Sequence, residues 1–322
     1  MTTTFLSLPE TVQEDILGLA MDNLNNSSKL SFLLLSRQYL RFLRRRLYRS
    51  LSFQIGPGSI QAQKLAIALS LNHELGSLID DLDLVEAHMG AMSYSSPGTQ
   101  VAQELLRWCR PRSLRFEAYT MPIWVMTALQ ADRLDNLEID FRCDKQLWRP
   151  PEDSHLLGTN LDSELGTPWF LKKRLSLRRL YIVRPPSYPT STKLVDLAIR
   201  TNGPDLRHLE VRGGLDALWI PSSLALQNLD QLISLAVAVG DLEKQLPLNA
   251  FPNLVDLSVL VLDESQITKL PAYLRNIQWL PSLRVLHARF DELILHRFLE
   301  DEMREIHIAC RDRGIRYYIL YD

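Results

Sequence analysis

Pro204-Asp-Leu-Arg-His-Leu-Glu-Val211 is the stretch that decides the fold. Leu206, Leu209 and Val211 stand at apolar-x-x-apolar-x-apolar spacing, and the alternation of the last two is that of a strand with one face turned to a core. Pro204, two residues ahead of the first leucine, stops a preceding helix and leaves the following residues extended. The same arrangement returns at Pro252-Asn-Leu254 with Leu257 and Val259, and at Pro281-Ser-Leu283 with Leu286 and Ala288. Each unit therefore reads as helix, proline, short strand.

Working outward, Ile79/Leu82/Leu84, Leu134/Leu137/Ile139, Leu177/Leu180/Ile182 and Leu232/Leu235/Val237 carry the pattern without a leading proline. From Leu180 through Leu209, Leu235 and Leu257 to Leu286 the intervals are 29, 26, 22 and 29 residues, close to the period of leucine-rich repeats. The longer gap between Leu137 and Leu180 implies an insertion, near residues 142–176, where Pro150-Pro151, Gly158 and Gly166 have loop composition. Leucine supplies 62 of the 322 residues, about twice the ordinary share. Ten matches to the pattern occur where roughly three or four are expected by chance, some out of phase, such as Leu194/Leu197/Ile199, which reads better as helix. Stacked units lay their strands parallel on one face and their helices on the other, around one core that no single repeat could bury. The expected fold is α/β, a solenoid of parallel strands and outer helices over residues 75–322. It ends in a helix from about Glu292 to Arg313 and a strand over Ile315 to Tyr321.

Residues 5–52 have another texture. Pro9 and Glu10 suit a helix's first turn, Val12, Ile16, Leu17 and Ala20 recur at helical spacing, and the polar run Asp22 to Ser28 ends the segment. From Lys29 to Tyr48 a second apolar pattern, broken near Ser36, completes a bundle of two or three helices. The expected division is a helical module at 1–52, a connecting segment at 53–74, and the repeats beyond.

Lys and Arg total 36 against 38 Asp and Glu, a net charge of −2, which removes any whole-chain electrostatic argument for nucleic acid or an anionic membrane. Three scattered cysteines make no disulfide framework. The N-terminus has no secretory pattern, and no apolar run approaches the length of a membrane helix, so a cytoplasmic or nuclear location is expected.

The N-terminal segment resembles an F-box. The matching residues are Leu8-Pro9-Glu10, the Val12/Ile16/Leu17 stripe, and Leu35-Ser-Arg-Gln-Tyr39. Leu47 to Phe53 is similar to the exit of fungal F-box proteins, His73 to Leu84 to their first repeat, and residues 75–322 to their degenerate leucine-rich repeats. The repeats lack the Asn or Cys that follows the family's strand, which predicts an irregular arc. The resemblance implies a non-catalytic substrate-recognition subunit of a cullin-RING ubiquitin ligase. It would dock on a Skp-type adaptor, and through it a cullin, while the repeats hold an unnamed protein substrate. The implied adaptor contacts are Leu8, Pro9, Val12, Ile16, Leu33 and Leu34. The alternative is a repeat scaffold acting outside any cullin ligase.

No cofactor or metal is implied. His307-x-x-Cys310 lacks further ligands at a metal spacing, Asp80-Asp81-x-Asp83 and Asp301-Glu302 read as solvated charge, and phosphate-loop, zincin and nucleophile-elbow motifs do not occur. Arg37, Arg41, Arg44 and Arg45 share one helical face, read first as a solvated surface, second as a contact for an acidic partner, and third for nucleic acid. Arg41 and Arg45, with Trp148 and Trp169 flanking the insertion, are the remaining partner-binding candidates.

Overall fold

A computed structural model of the chain describes residues 9–22, 40–56, 58–87, 97–118, 128–129, 132–141, 177–183, 196, 199–212, 226, 229–239, 242–247, 251–261, 264–290 and 300–321. The fold is α/β and solenoid-like. Among the described residues, ten strands form one all-parallel sheet in strict chain order: β1 (Ser50–Ile55), β2 (Asp81–Glu86), β3 (Ser113–Ala118), β4 (Asn136–Phe141), β5 (Arg179–Val183), β6 (His208–Arg212), β7 (Ser234–Val239), β8 (Asp256–Val261), β9 (Val285–Phe290) and β10 (Arg316–Tyr321). The α-helices among the described residues are α1 (Glu10–Asp22), α2 (Leu40–Tyr48), α3 (Ile60–Leu71), α4 (Pro97–Trp108), α5 (Leu242–Gln245), α6 (Glu264–Arg275) and α7 (Glu300–Asp312).

The register is that of the sequence pattern. Leu51, Leu82, Leu114, Leu137, Leu180, Leu209, Leu235, Leu257, Leu286 and Tyr317 face one another across successive strands. Alternate strand residues share a face, so this ladder and the next inward one, which includes Leu84, Phe116, Ile139, Ile182 and Val259, bury together. Only at the outer strands are they half-exposed, at Leu51, Phe53, Tyr317 and Ile319, where no further repeat covers them among the described residues.

Ahead of the strands a four-residue turn recurs, in which Leu206, Leu232, Leu254 and Leu283 donate their N–H to the carbonyls of Gly203, Leu229, Phe251 and Leu280. Pro204, Pro252 and Pro281 occupy the second position of three of these turns, where a fixed φ suits the geometry and no N–H is required. The prolines thus make the turn that aims the chain, and the strands begin at His208, Asp256 and Val285.

A second repeating feature ties the units together. The carbonyl of Arg49 accepts from the N–H groups of Asp80 and Asp81, that of Asp80 from Arg112 and Ser113, and the series continues through Arg112, Asp135, Arg178, Arg207, Ile233 and Val255 to Arg284, which accepts from Arg316. Paired acceptance satisfies the backbone at the start of the strands from β2 to β9.

Two strands lie where the sequence reading had none. β1 falls across the expected boundary at 52–53, so the sheet begins at Ser50 and not near residue 75. Its unit, Tyr48-x-x-Leu51-x-Phe53, opens with the last residue of α2 and was hidden as a helix end. β3 belongs to Pro111-x-x-Leu114-x-Phe116, whose leading position holds a buried proline in place of a leucine. Near the C-terminus the helix covers Glu300–Asp312 and the strand Arg316–Tyr321, with residues 291–299 outside the described ones. The inserted segment at 142–176 also lies outside them.

Candidate functional site

Two surfaces combine exposure with chemistry. The first is α1. Its inward side carries the buried Gln13 and Gly18 with half-buried Leu17, and its outward side presents Val12, Ile16 and Leu19 at 39%, 42% and 67% exposure. The spacing i, i+4, i+7 puts these three on one stripe. α1 packs on α2 at Gly18, where an added Cβ would lie 2.7 Å from Arg46 Nη1, so the missing side chain lets the guanidinium cross the helix backbone. α2 in turn contacts β1 and the 3₁₀ helix His73–Leu78, which seats the module on the first repeat.

Among the expected adaptor contacts, Pro9, Val12 and Ile16 are exposed and share this end of the molecule. Leu8, Leu33 and Leu34 lie outside the described residues. Leu17, expected on the same stripe as Val12 and Ile16, turns toward the module's interior, and Leu19 takes the outward place. Helical spacing identified an apolar face but could not say whether it looks in or out. Arg44 and Arg45 are exposed on α2, while Arg46 is half-buried against Gly18; Arg41 lies within α2. Trp148 and Trp169 fall outside the described residues.

The second surface is the sheet face opposite the helices. On β2 to β4 it carries exposed Asp81 and half-buried Asp83 and Glu138, with Glu117 and Asp140 buried, and Arg115 reaches Glu117 at 3.3 Å and Glu138 at 3.2 Å. Asp83 Oδ2 accepts from Ser52 Oγ at 2.9 Å. At the rim, Asp80 is the hub of three arginines, with Arg133 at 2.9 Å, Arg49 at 3.7 Å and Arg112 at 3.9 Å. The acidic run expected to be solvated is therefore partly structural, since Asp80 gathers charges from units on both sides of its own. Toward the other end, His287 stacks on half-exposed Tyr318 with centroids 5.0 Å apart and lies 3.8 Å from Asp256.

No catalytic constellation emerges among the described residues. Burial pushes the Cys109 thiol up to about 12, and burial, opposed by Arg313, raises Cys310 to about 11, so both stay protonated at neutral pH and are poor nucleophiles. Cys310 is buried on α7 whereas His307 is exposed, which separates the pair that sequence spacing placed one turn apart. Among the described residues no group of three or more His, Cys, Asp or Glu side chains could hold a metal ion. No helix among them is long and apolar enough to cross a membrane. The tryptophans that are described serve packing: Trp108 stacks on His73 with centroids 4.0 Å apart, and buried Trp279 donates its Nε1–H to the Leu246 carbonyl at 2.8 Å.

No protein-family model matches the chain, and no curated protein matches it.

Proposed function

We propose that the protein is a substrate-recognition subunit of a Skp-cullin-F-box type ubiquitin ligase, with α1 and α2 forming the adaptor-docking module and leucine-rich repeats presenting the substrate surface. The observation that carries this reading is the exposed Val12–Ile16–Leu19 stripe on a helix already anchored by its other side. An apolar helix face left in water beside the repeats suits a groove on a partner. The implied mechanism is positional: holding a substrate near a ubiquitin-loaded enzyme raises the effective concentration of its lysines, and this chain makes and breaks no bonds itself.

The test is co-expression with a Skp-type adaptor followed by size-exclusion chromatography, comparing the native chain with Val12→Glu plus Ile16→Glu. Both positions face outward, so the substitutions should leave the circular dichroism spectrum unchanged while abolishing co-elution. A native chain that elutes alone and folded would overturn the ligase reading and leave a repeat scaffold that binds partners outside a cullin complex.

A further inference from the structure

We propose that the outer stripe of α3, made of Ile60, Lys64, Ile67 and Leu71, is a self-association seam that pairs antiparallel with the same helix of a second copy of this chain. The seam lies on a different helix from the adaptor-docking face and does not rest on the ligase reading.

The composition of α3 is not that of a helix meant for water. Ile60-Gln-Ala-Gln-Lys-Leu-Ala-Ile-Ala-Leu-Ser-Leu71 holds no acidic residue and one basic one. Ala62, Leu65, Ala66 and Leu69 are buried on the inward side, where the helix packs on α4, β1 and the 3₁₀ helix His73–Leu78. The outward side is apolar as well, with Ile60 and Ile67 each 60% exposed and Leu71 82% exposed. A helix that is apolar all round is stable when it is covered all round. The last helix of the layer, α7, is built differently and shows water the charges of Asp301, Arg304, Glu305 and Arg311.

The spacing of the stripe selects its occupant. Positions 60, 64, 67 and 71 follow the four-three-four steps of a heptad seam, and at about 3.6 residues per turn they fall within roughly 60° of arc. This series reads the same from either end. A two-fold axis that runs the helix against its own copy therefore sets Ile60 opposite Leu71 of the second copy, and Lys64 opposite its Ile67.

Lys64 decides the direction. A parallel pair would bring the two Lys64 amines together in the middle of the seam, whereas the antiparallel pair lays each methylene stem over Ile67 of the other copy and carries the amine to the rim. One lysine at a seam position costs stability and fixes the register. The flanks carry no charge that would oppose the pairing, since exposed Gln61 and Ser70 and half-buried Gln63 and Ala68 border the stripe. One helix of 12 residues from each copy stays below the roughly 1,200 Å² of a standard interface, so the dimer is a weak one, with Kd on the order of 10–100 µM.

The test is sedimentation equilibrium of the full chain without adaptor, over about 1–300 µM to bracket that range. The native chain should show a reversible monomer–dimer equilibrium. Ile67→Lys places lysine in both central layers and should leave a monomer at every concentration, while Lys64→Leu should dimerise roughly tenfold more tightly. These side chains are exposed, so the urea midpoints should stay native; if Ile67→Lys loses stability, Leu71→Lys at the most exposed position carries the same test. Direction is read by oxidation: an equimolar mixture of Ile60→Cys and Leu71→Cys chains should form a disulfide-linked dimer above the background of the native cysteines, and neither variant alone should. A native chain that is monomeric throughout, a dimer that survives the lysine variants, or cross-linking by Ile60→Cys alone as strong as by the mixture would each overturn the proposal. So would a monomeric native chain whose adaptor co-elution is lost in Ile67→Lys, which would assign the stripe to the adaptor. The two readings fail separately: absence of adaptor co-elution leaves this seam standing, and a monomeric native chain leaves the ligase reading standing.

Discussion

Replacing Arg313 should unlock the C-terminal end of the solenoid. This residue follows α7 and sends its guanidinium back into the loop between α6 and β9. Nη1 donates to the carbonyls of Leu274 and Trp279 at 3.0 Å each and more weakly to Asn276 at 3.4 Å, while Nη2 donates to Leu280 at 2.9 Å. Leu274 and Asn276 sit at the C-terminal end of α6, where unsatisfied carbonyls and the helix dipole both favour a cation. Leu280 is buried with φ of 48°, a left-handed conformation that costs a leucine roughly 1–2 kcal/mol and persists only where its surroundings enforce it.

Three short bonds from a charged donor would sum to more, but the group is partly exposed and water can replace part of the loss. Allowing about 1 kcal/mol for each, Arg313→Met should destabilise the chain by roughly 2–4 kcal/mol. Arg313→Lys keeps the charge but has one nitrogen where the fork has two, so about half of that loss is expected. Urea unfolding followed by circular dichroism measures the total. Hydrogen exchange locates it, because a repeat array can open from one end, and protection should fall first over residues 274–283. An Arg313→Met midpoint equivalent to within about 0.5 kcal/mol of the native chain, or a lysine variant indistinguishable from native, would refute the clamp.

Two further outcomes follow from close packing and from charge. Gly76→Ala should destabilise by about 1–3 kcal/mol, because the new Cβ would lie 1.9 Å from the Trp108 carbonyl oxygen, which is backbone and cannot swing aside; a native-like urea midpoint would show that the 3₁₀ helix and α4 can separate freely. His208 has its pKa depressed in the folded state by burial, Arg179 and Arg207, so the unfolded chain binds more protons across the imidazole range and stability rises with pH there. His208→Asn should flatten the rise of unfolding free energy between about pH 5 and pH 8, and an unchanged or steeper slope would place the titration elsewhere.

The strands that the sequence revealed are those whose leucines act locally. Leu137, Leu180, Leu209, Leu235, Leu257 and Leu286 announce themselves through two-residue alternation, and the structure places them in one ladder. β1 and β3 escaped because tyrosine and proline stand where the leading leucine was sought, and a stacked neighbour tolerates either so long as the two inward positions are filled.

The candidate surfaces divide along the same line. Helical spacing alone marked Val12 and Ile16 as apolar neighbours, but their outward direction was decided by Arg46 lying over Gly18, a contact between α1 and α2. The Asp80 hub was invisible along the chain, since Arg49, Arg112 and Arg133 belong to other units than Asp80. Only parallel stacking in register, with each strand start hydrogen-bonded to the one before, brings them to one carboxylate. The sequence by itself determined the repeating unit, because alternation and proline turns act within a few residues. Tertiary structure alone decided which faces meet water and which charges meet each other, because both depend on what the neighbouring unit supplies.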